Sequence, residues 1–191
     1  DFCLSRGLGD VYKRQVHLIT LCRMGFENFH IADFDTFEIH NFNRQAGAFV
    51  STIGQPKIQV MKAMAKDINP QVQIKEFPGG IDKENVDEFL EGVDIYLDGL
   101  DFFAFKAREI VFDRVSQIGI PAVTAGPLGM GASLVNFLPG AMTFDEYFGL
   151  SKAKNDQERA ILLAIGLSPK RIQMKYLSLI HISEPTRQAE I

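Results

Sequence analysis

Residues 29–45, FHIADFDTFEIHNFNRQ, constrain this chain more than any other stretch. Residues 29–32 form a short apolar run that reads as a strand, and Asp33 ends it. Asp35 follows, and the polar density then jumps through His40, Asn41, Asn43, Arg44 and Gln45. A folding core has no use for that cluster, but a nucleotide does. An acid at the carboxyl end of a parallel strand accepts hydrogen bonds from ribose hydroxyls. Asn supplies neutral donors, and Arg supplies a permanent cation whose fork suits phosphate. Asp33, Asp35, Asn41, Asn43, Arg44 and Gln45 are therefore candidate nucleotide-binding residues.

Parallel strands need helices between them, and the chain can supply both. At 191 residues and 46% hydrophobic content it reads as one domain with a core. A net charge of −4, with no block of basic residues, argues against a nucleic-acid surface. The longest apolar runs are too short to span a bilayer, so no membrane partner is expected. Cys3 and Cys22 make neither a disulfide framework nor a zinc site. A reducing, cytoplasmic setting fits them.

Residues 16–24 read as the last turns of a helix stopped by Gly25, with Cys22 as a small core residue. Gly54-Gln55-Pro56-Lys57 opens a second helix that runs to Ile68, because Pro suits the first helical position. Lys57 then stands in a first turn, where the helix dipole favours an acid. A cation there makes sense if an anion binds beside it. Residues 72–77 alternate as a strand, and a short helix runs from Asp82 or Lys83 to Leu90. Residues 93–97 are the next strand, ending in Asp98-Gly99-Leu100-Asp101. Carboxylates at that end, Asp98 and Asp101, suit Mg²⁺, which takes oxygen ligands while bridging phosphates.

A clear helix covers residues 103–117, with Arg108 as either a site or a surface residue. Residues 120–125 are a buried strand. Gly126, Gly129 and Gly131 read as turns before a further strand at 132–138. Residues 144–148 cover a pocket or pack, 155–165 form a helix stopped by Gly166, and Ser168-Pro169 opens a last helix.

The segment from Ile31 to Gln45 resembles the nucleotide-binding segment of the ThiF/MoeB/HesA adenylyltransferases, relatives of the ubiquitin-activating enzymes. Their pattern is an acidic pair, an apolar residue or two, then Asn-x-Asn/Gln-Arg-Gln. The likeness runs from near Val16 to near Gly140. It implies an α/β, Rossmann-like, doubly wound, mainly parallel sheet, with ATP and Mg²⁺ as cofactors. By the resemblance a carboxylate attacks the α-phosphorus of ATP. Arg44 binds the β/γ phosphates, Lys57 the phosphate chain near the reacting centre, and Asp101 the magnesium. Asp33 holds the ribose, and Asn41 orients nearby groups. Asp101 matches the second acid of the family's Asp-x-x-Asp-Asn, but Phe102 replaces the Asn. The implied substrate is the C-terminal Gly of a ubiquitin-like or sulfur-carrier protein, or a peptide carboxylate, and the native full-length protein is expected to be a homodimer. Within this chain no cysteine follows Cys22, so transthiolation has no nucleophile here.

The ends fit this pattern badly. A dinucleotide fingerprint stands about 20 residues ahead of the acid. Its glycines should occupy positions 9, 11, 12 and 14, where the chain has Gly9, Val11, Tyr12 and Arg14. Gly7-Leu8-Gly9 lies in another frame. Both ends look like translated sequencing-adapter reads. Residues 1–15 and 178–191 are accordingly expected to be non-native, with 16–177 an incomplete nucleotide-binding domain. The first strand and glycine loop are then expected to be missing, which leaves strand edges exposed. The chain as written is expected to be inactive, to bind ATP weakly or not at all, and to be prone to aggregate. Two rival readings remain: an NAD-binding Rossmann oxidoreductase, which leaves Arg44, Lys57 and Asp101 idle, and a non-catalytic binding module, which Phe102 favours.

Overall fold

The structure is a computed structural model and describes residues 2–5, 12–128 and 131–168. Its sheet holds six strands among those residues, in the order β3-β2-β1-β4-β5-β6. They are β1 (Phe2–Ser5), β2 (Asn28–Ala32), β3 (Gln73–Phe77), β4 (Ile95–Asp98), β5 (Ala122–Leu128) and β6 (Gly131–Phe137). The first five run parallel, and β6 returns antiparallel to β5. This is the mainly parallel α/β order expected of a doubly wound sheet.

The period of two in each strand feeds two cores. On β2, Phe29 and Ile31 face one side, where Leu18, Cys22, Ile58, Met61 and Ala65 cover them. Those residues come from α1 (Tyr12–Arg23) and α2 (Lys57–Ile68). Burial pushes the Cys22 thiol above its ordinary pKa, as befits a small core residue. Ala32 faces the other side, with Phe77, Phe89, Tyr96 and Phe112. That side is closed by α3 (Val86–Leu90), α4 (Phe105–Ile118), α5 (Phe144–Phe148) and α6 (Asp156–Leu167). Each aromatic ring buried there contributes roughly 1.5–3 kcal/mol.

One expectation is overturned at the amino end. The sequence reading found no strand ahead of β2, yet Phe2–Ser5 lies at the centre of the sheet. It pairs with β2 through Phe2↔Phe29 and Leu4↔Ile31, and with β4 through Phe2↔Ile95 and Ser5↔Asp98. Four residues are too short to show a period, and every partner is distant in sequence, so nothing local announces the strand. The inner edges of β2 and β4 are therefore paired, and the expected exposed edges are absent there. Because β1 ends at Ser5 and α1 begins at Tyr12, Tyr12 and Arg14 belong to a helix and not to a glycine turn. The connection is residues 6–11, which contains Gly7 and Gly9 and lies outside the described residues.

A second correction concerns Gly166. Helix α6 runs through it to Leu167. A Cβ at Gly166 would overlap the Phe148 ring, so this glycine admits a close contact with α5 and does not stop the helix. Residues 144–148 pack, with Phe144 and Phe148 buried. The last helix expected from Pro169 onward lies outside the described residues. Among the described residues no helix is long and apolar enough to cross a membrane.

Candidate functional site

Strand order reverses at β1, with β2 and β3 on one side and β4 to β6 on the other. Open parallel sheets take ligands beyond the carboxyl ends of their strands at such a reversal. Register fixes what stands there. Ile31, Leu4 and Leu97 share one row across β2, β1 and β4. Asp98 lies one row further on, and Asp33 two. Two strand spacings set the tips of β2 and β4 roughly 10 Å apart, a gap that one nucleotide can bridge.

At the β2 tip, Asp33 Oδ1 accepts from the Asp35 amide at 2.9 Å, which turns the chain out of the sheet. Asp35 then meets the start of α2. Its carbonyl accepts from the Lys57 amide at 2.8 Å, and its carboxylate lies 3.3 Å from Lys57 Nζ. Lys57 is the first residue of α2, after Pro56, and is only 3% exposed. Its ammonium also stands 5.8 Å from the centre of the Phe37 ring. The cation that looked misplaced at a helix start is thus held by Asp35, which supplies the acid that the dipole favours.

The loop beyond Asp35 curls into a short 3-10 turn, Ile39–Asn41. Asn41 is 1% exposed, and its Oδ1 accepts from the Glu38 amide at 3.0 Å. It shapes the turn from inside. Arg44 is half-buried, and its guanidinium donates to the His40 carbonyl at 3.1 Å and to Asn43 Oδ1 at 2.9 Å. Gln45 is buried and fastens this loop to α1: Gln15 Nε2 donates to Gln45 Oε1 at 3.4 Å, while Gln15 Oε1 accepts from the Gly47 amide at 3.0 Å. Gln15 lies in the first turn of α1. The loop that carries Arg44 is thereby fastened, through Gln45 and Gly47, to the first turn of α1. Sequence reasoning set Gln15 aside with residues 1–15 and missed this clasp. Gln45 Nε2 is buried and finds no hydrogen-bond partner among the described residues.

The β4 tip is built differently. Asp98 is 5% exposed and accepts from Leu100 N at 2.9 Å, Arg108 Nε at 3.0 Å and Thr124 Oγ1 at 2.7 Å. Its carboxylate is directed inward, away from the position expected for a ligand contact. Arg108 is buried too, and donates to the carbonyls of Leu100, Asp101 and Phe102. The alternative of a surface arginine is set aside. A signal for this existed in the sequence, since Arg108 falls on the stripe of Phe105, Phe112 and Val115 that α4 buries. Asp101 stays half-buried at the rim. Phe102, in the place of the expected Asn, packs edge-to-face with Phe103 and Phe105.

The ThiF family model matches residues 15–169 of this chain. The chain belongs to the ThiF family. The resemblance read from residues 31–45 is thereby borne out. Among its relatives, the tRNA threonylcarbamoyladenosine dehydratase of Bacillus subtilis (strain 168) is 36% identical over 87 residues, covering 45% of this chain and 34% of that protein. The SAMP-activating enzyme E1 of Haloferax volcanii is 30% identical over 103 residues, covering 54% and 37%. Among solved structures, the Escherichia coli tRNA N6-threonylcarbamoyladenosine dehydratase in complex with ATP has a TM-score of 0.60 at 24% identity, covering 68% of this chain and 52% of that one. Escherichia coli MccB has a TM-score of 0.64 at 18% identity, covering 93% and 56%. These structures show the shared fold. The chain spans about a third of the first curated relative and about half of the solved chains.

The polar groups near these strand tips in this ThiF chain are a strand-tip acid, a lysine at the start of α2, and an arginine in a loop fastened to α1. Among the described residues no three His, Cys, Asp or Glu side chains gather around a common point. Mg²⁺ keeps several waters and can be held by one carboxylate with substrate phosphates, so Asp101 alone fits it.

Proposed function

We propose that this chain is the nucleotide-binding part of an ATP-dependent adenylyltransferase that activates a carboxylate as an acyl-adenylate. The arrangement that supports the reading is a set of polar residues at and beyond the carboxyl ends of β2 and β4. Asp33 stands at the β2 tip, Asp35 holds Lys57 at the start of α2, and the Arg44 loop is clasped to the start of α1. Asp101 stands just past β4.

In this reading a carboxylate oxygen attacks the α-phosphorus, the bond to the bridging oxygen breaks, and pyrophosphate leaves. Such a step needs positioning and charge neutralisation more than a covalent protein group. Asp33 accepts the ribose hydroxyls. Arg44, with Asn43 beside it, binds the β/γ phosphates, and Lys57 the chain nearer the reacting centre. Asp101 would hold Mg²⁺, which would offset charge on the phosphates. Asn41, Gln45 and Asp98 act by holding loops. Membership in the ThiF family favours this reading over nicotinamide binding.

The carboxylate we propose is the C-terminal Gly of a ubiquitin-like or sulfur-carrier protein, or of a peptide. Relatives named as a SAMP-activating E1, a sulfur carrier protein adenylyltransferase and a molybdopterin-synthase adenylyltransferase support a small carrier protein. A cytoplasmic enzyme is in keeping with that substrate. Leu134, Leu138 and Met142 are 66%, 62% and 59% exposed on and just after β6. Exposed apolar side chains of this kind support a homodimer, which sedimentation can test.

ATP–pyrophosphate exchange with candidate carrier proteins tests the activity. Exchange should depend on the carrier and should be lost in Arg44→Ala and Asp101→Ala. Exchange that persists in both variants would remove the roles assigned here. Partner binding without exchange would favour the non-catalytic module.

A further inference from the structure

Asp101 sits in a loop, beyond the last residue of β4 and before the first of α4. A carboxylate on a loop serves a ligand well only when the backbone beneath it is held. Here the holding is concentrated on one side chain. Arg108 NH2 donates to the carbonyls of Leu100 at 2.6 Å and Asp101 at 2.9 Å, and NH1 donates to that of Phe102 at 3.2 Å. Its Nε is anchored on Asp98 Oδ2 at 3.0 Å. Asp98 is fixed in turn by Thr124 Oγ1 and by the Leu100 amide. Arg108, Asp98 and Thr124 come from α4, β4 and β5 and are 4%, 5% and 5% exposed. Charges buried this deeply have little water to replace a lost partner, so their geometry is strongly determined.

We infer that Arg108 is a positioning residue for the triphosphate end of the site, fixing the backbone of residues 100–102 and thereby the carboxylate of Asp101. The inference rests on the nucleotide reading above. Arg108 itself touches no substrate. Lysine cannot replace it, because a compact ammonium lacks the planar fork that meets Asp98 and three carbonyls together. On residues 100–102 the grip meets only main-chain carbonyls, so it does not depend on the side chain of Phe102.

The test is calorimetric titration of Mg·ATP and of AMP into the full chain and its variants. Arg108→Lys should raise the Kd for Mg·ATP about tenfold and leave that for AMP within about twofold. In an Asp101→Ala background the same substitution should add no further loss of Mg·ATP affinity, since the two act as one unit. Equal loss of both nucleotides, an unchanged Kd for Mg·ATP, or additive losses would each overturn the inference. Should Arg108→Lys fail to fold, Thr124→Val loosens the same anchor and should give a smaller selective loss. Unchanged Mg·ATP binding in that variant counts against the inference. If the wild-type chain binds neither nucleotide, the nucleotide reading fails first and takes this inference with it.

Discussion

Asp33 and Asp98 close the two strands that flank β1, at the same edge of the sheet, and their surroundings could hardly differ more. Asp33 is half-buried and faces a turn whose other polar members are partly open to solvent. Asp98 is buried and committed to Arg108, Thr124 and the Leu100 amide. An acid at a strand tip therefore has two possible occupations, and its neighbours decide which. Where a helix presents an arginine on its buried stripe, as α4 presents Arg108, the acid becomes part of the scaffold. Where the following chain turns away, as it does at Asp35, the acid stays half-buried at the carboxyl end of the sheet, open to the ligand role proposed for it.

The sharpest way to break this comparison is to remove the buried acid. Asp98→Ala strands the Arg108 charge and should cost about 3–5 kcal/mol of unfolding free energy, read by urea or thermal denaturation. A loss below about 1 kcal/mol would show that the pair is no scaffold. On the other side, Arg44→Ala should raise the Kd for ATP about thirtyfold, worth about 2 kcal/mol, while unfolding changes by less than about 0.5 kcal/mol. A smaller contrast concerns the Asp35–Lys57 pair, whose acid is 26% exposed. Lys57→Met should cost about 1 kcal/mol of stability, less than Asp98→Ala, because water reaches the remaining carboxylate.

The smallest effect lies on α4 itself, at Glu109 and Asp113. Burial pushes the Glu109 and Asp113 carboxyls above their ordinary values. Asp145 raises both further, while Arg159 pulls Glu109 back down. A raised acid keeps its proton in the folded state at a pH where the unfolded chain has lost it. Its contribution to stability is therefore fully present below the ordinary carboxylate range and is lost as pH rises from there through the folded value. Unfolding midpoints should rise modestly on acidification from neutral towards that range, and Asp113→Asn should flatten the trend. A trend of opposite sign would contradict the assignment.

The residues proposed for the ligand side of the comparison were singled out from the sequence, and the scaffold side largely was not. Asp33, Arg44 and Lys57 stand in local patterns, an acid ending an apolar run and a Gly-x-Pro-Lys helix start, whose chemistry is readable residue by residue. The alternation in 72–77 and 132–138 likewise found β3 and β6 within a residue or two. What escaped depends on contacts distant in sequence. Strand β1 is defined by its partners on β2 and β4. Gly166 looks like a helix stop until Phe148 is packed against it. Asp98 looks like a ligand acid until Arg108 arrives from the next helix, although the apolar stripe around Arg108 carried the clue.

The central claim is that Asp33 faces the nucleotide and Asp98 faces the core. Calorimetric titration of ATP into Asp33→Asn, with a melting curve on the same sample, tests it most directly. Asparagine keeps the oxygen that accepts from the Asp35 amide. The account predicts unchanged melting and a Kd for ATP raised about tenfold, because the charged acceptor for the ribose is gone. An Asp33→Asn protein that binds ATP as tightly as the wild type would contradict it.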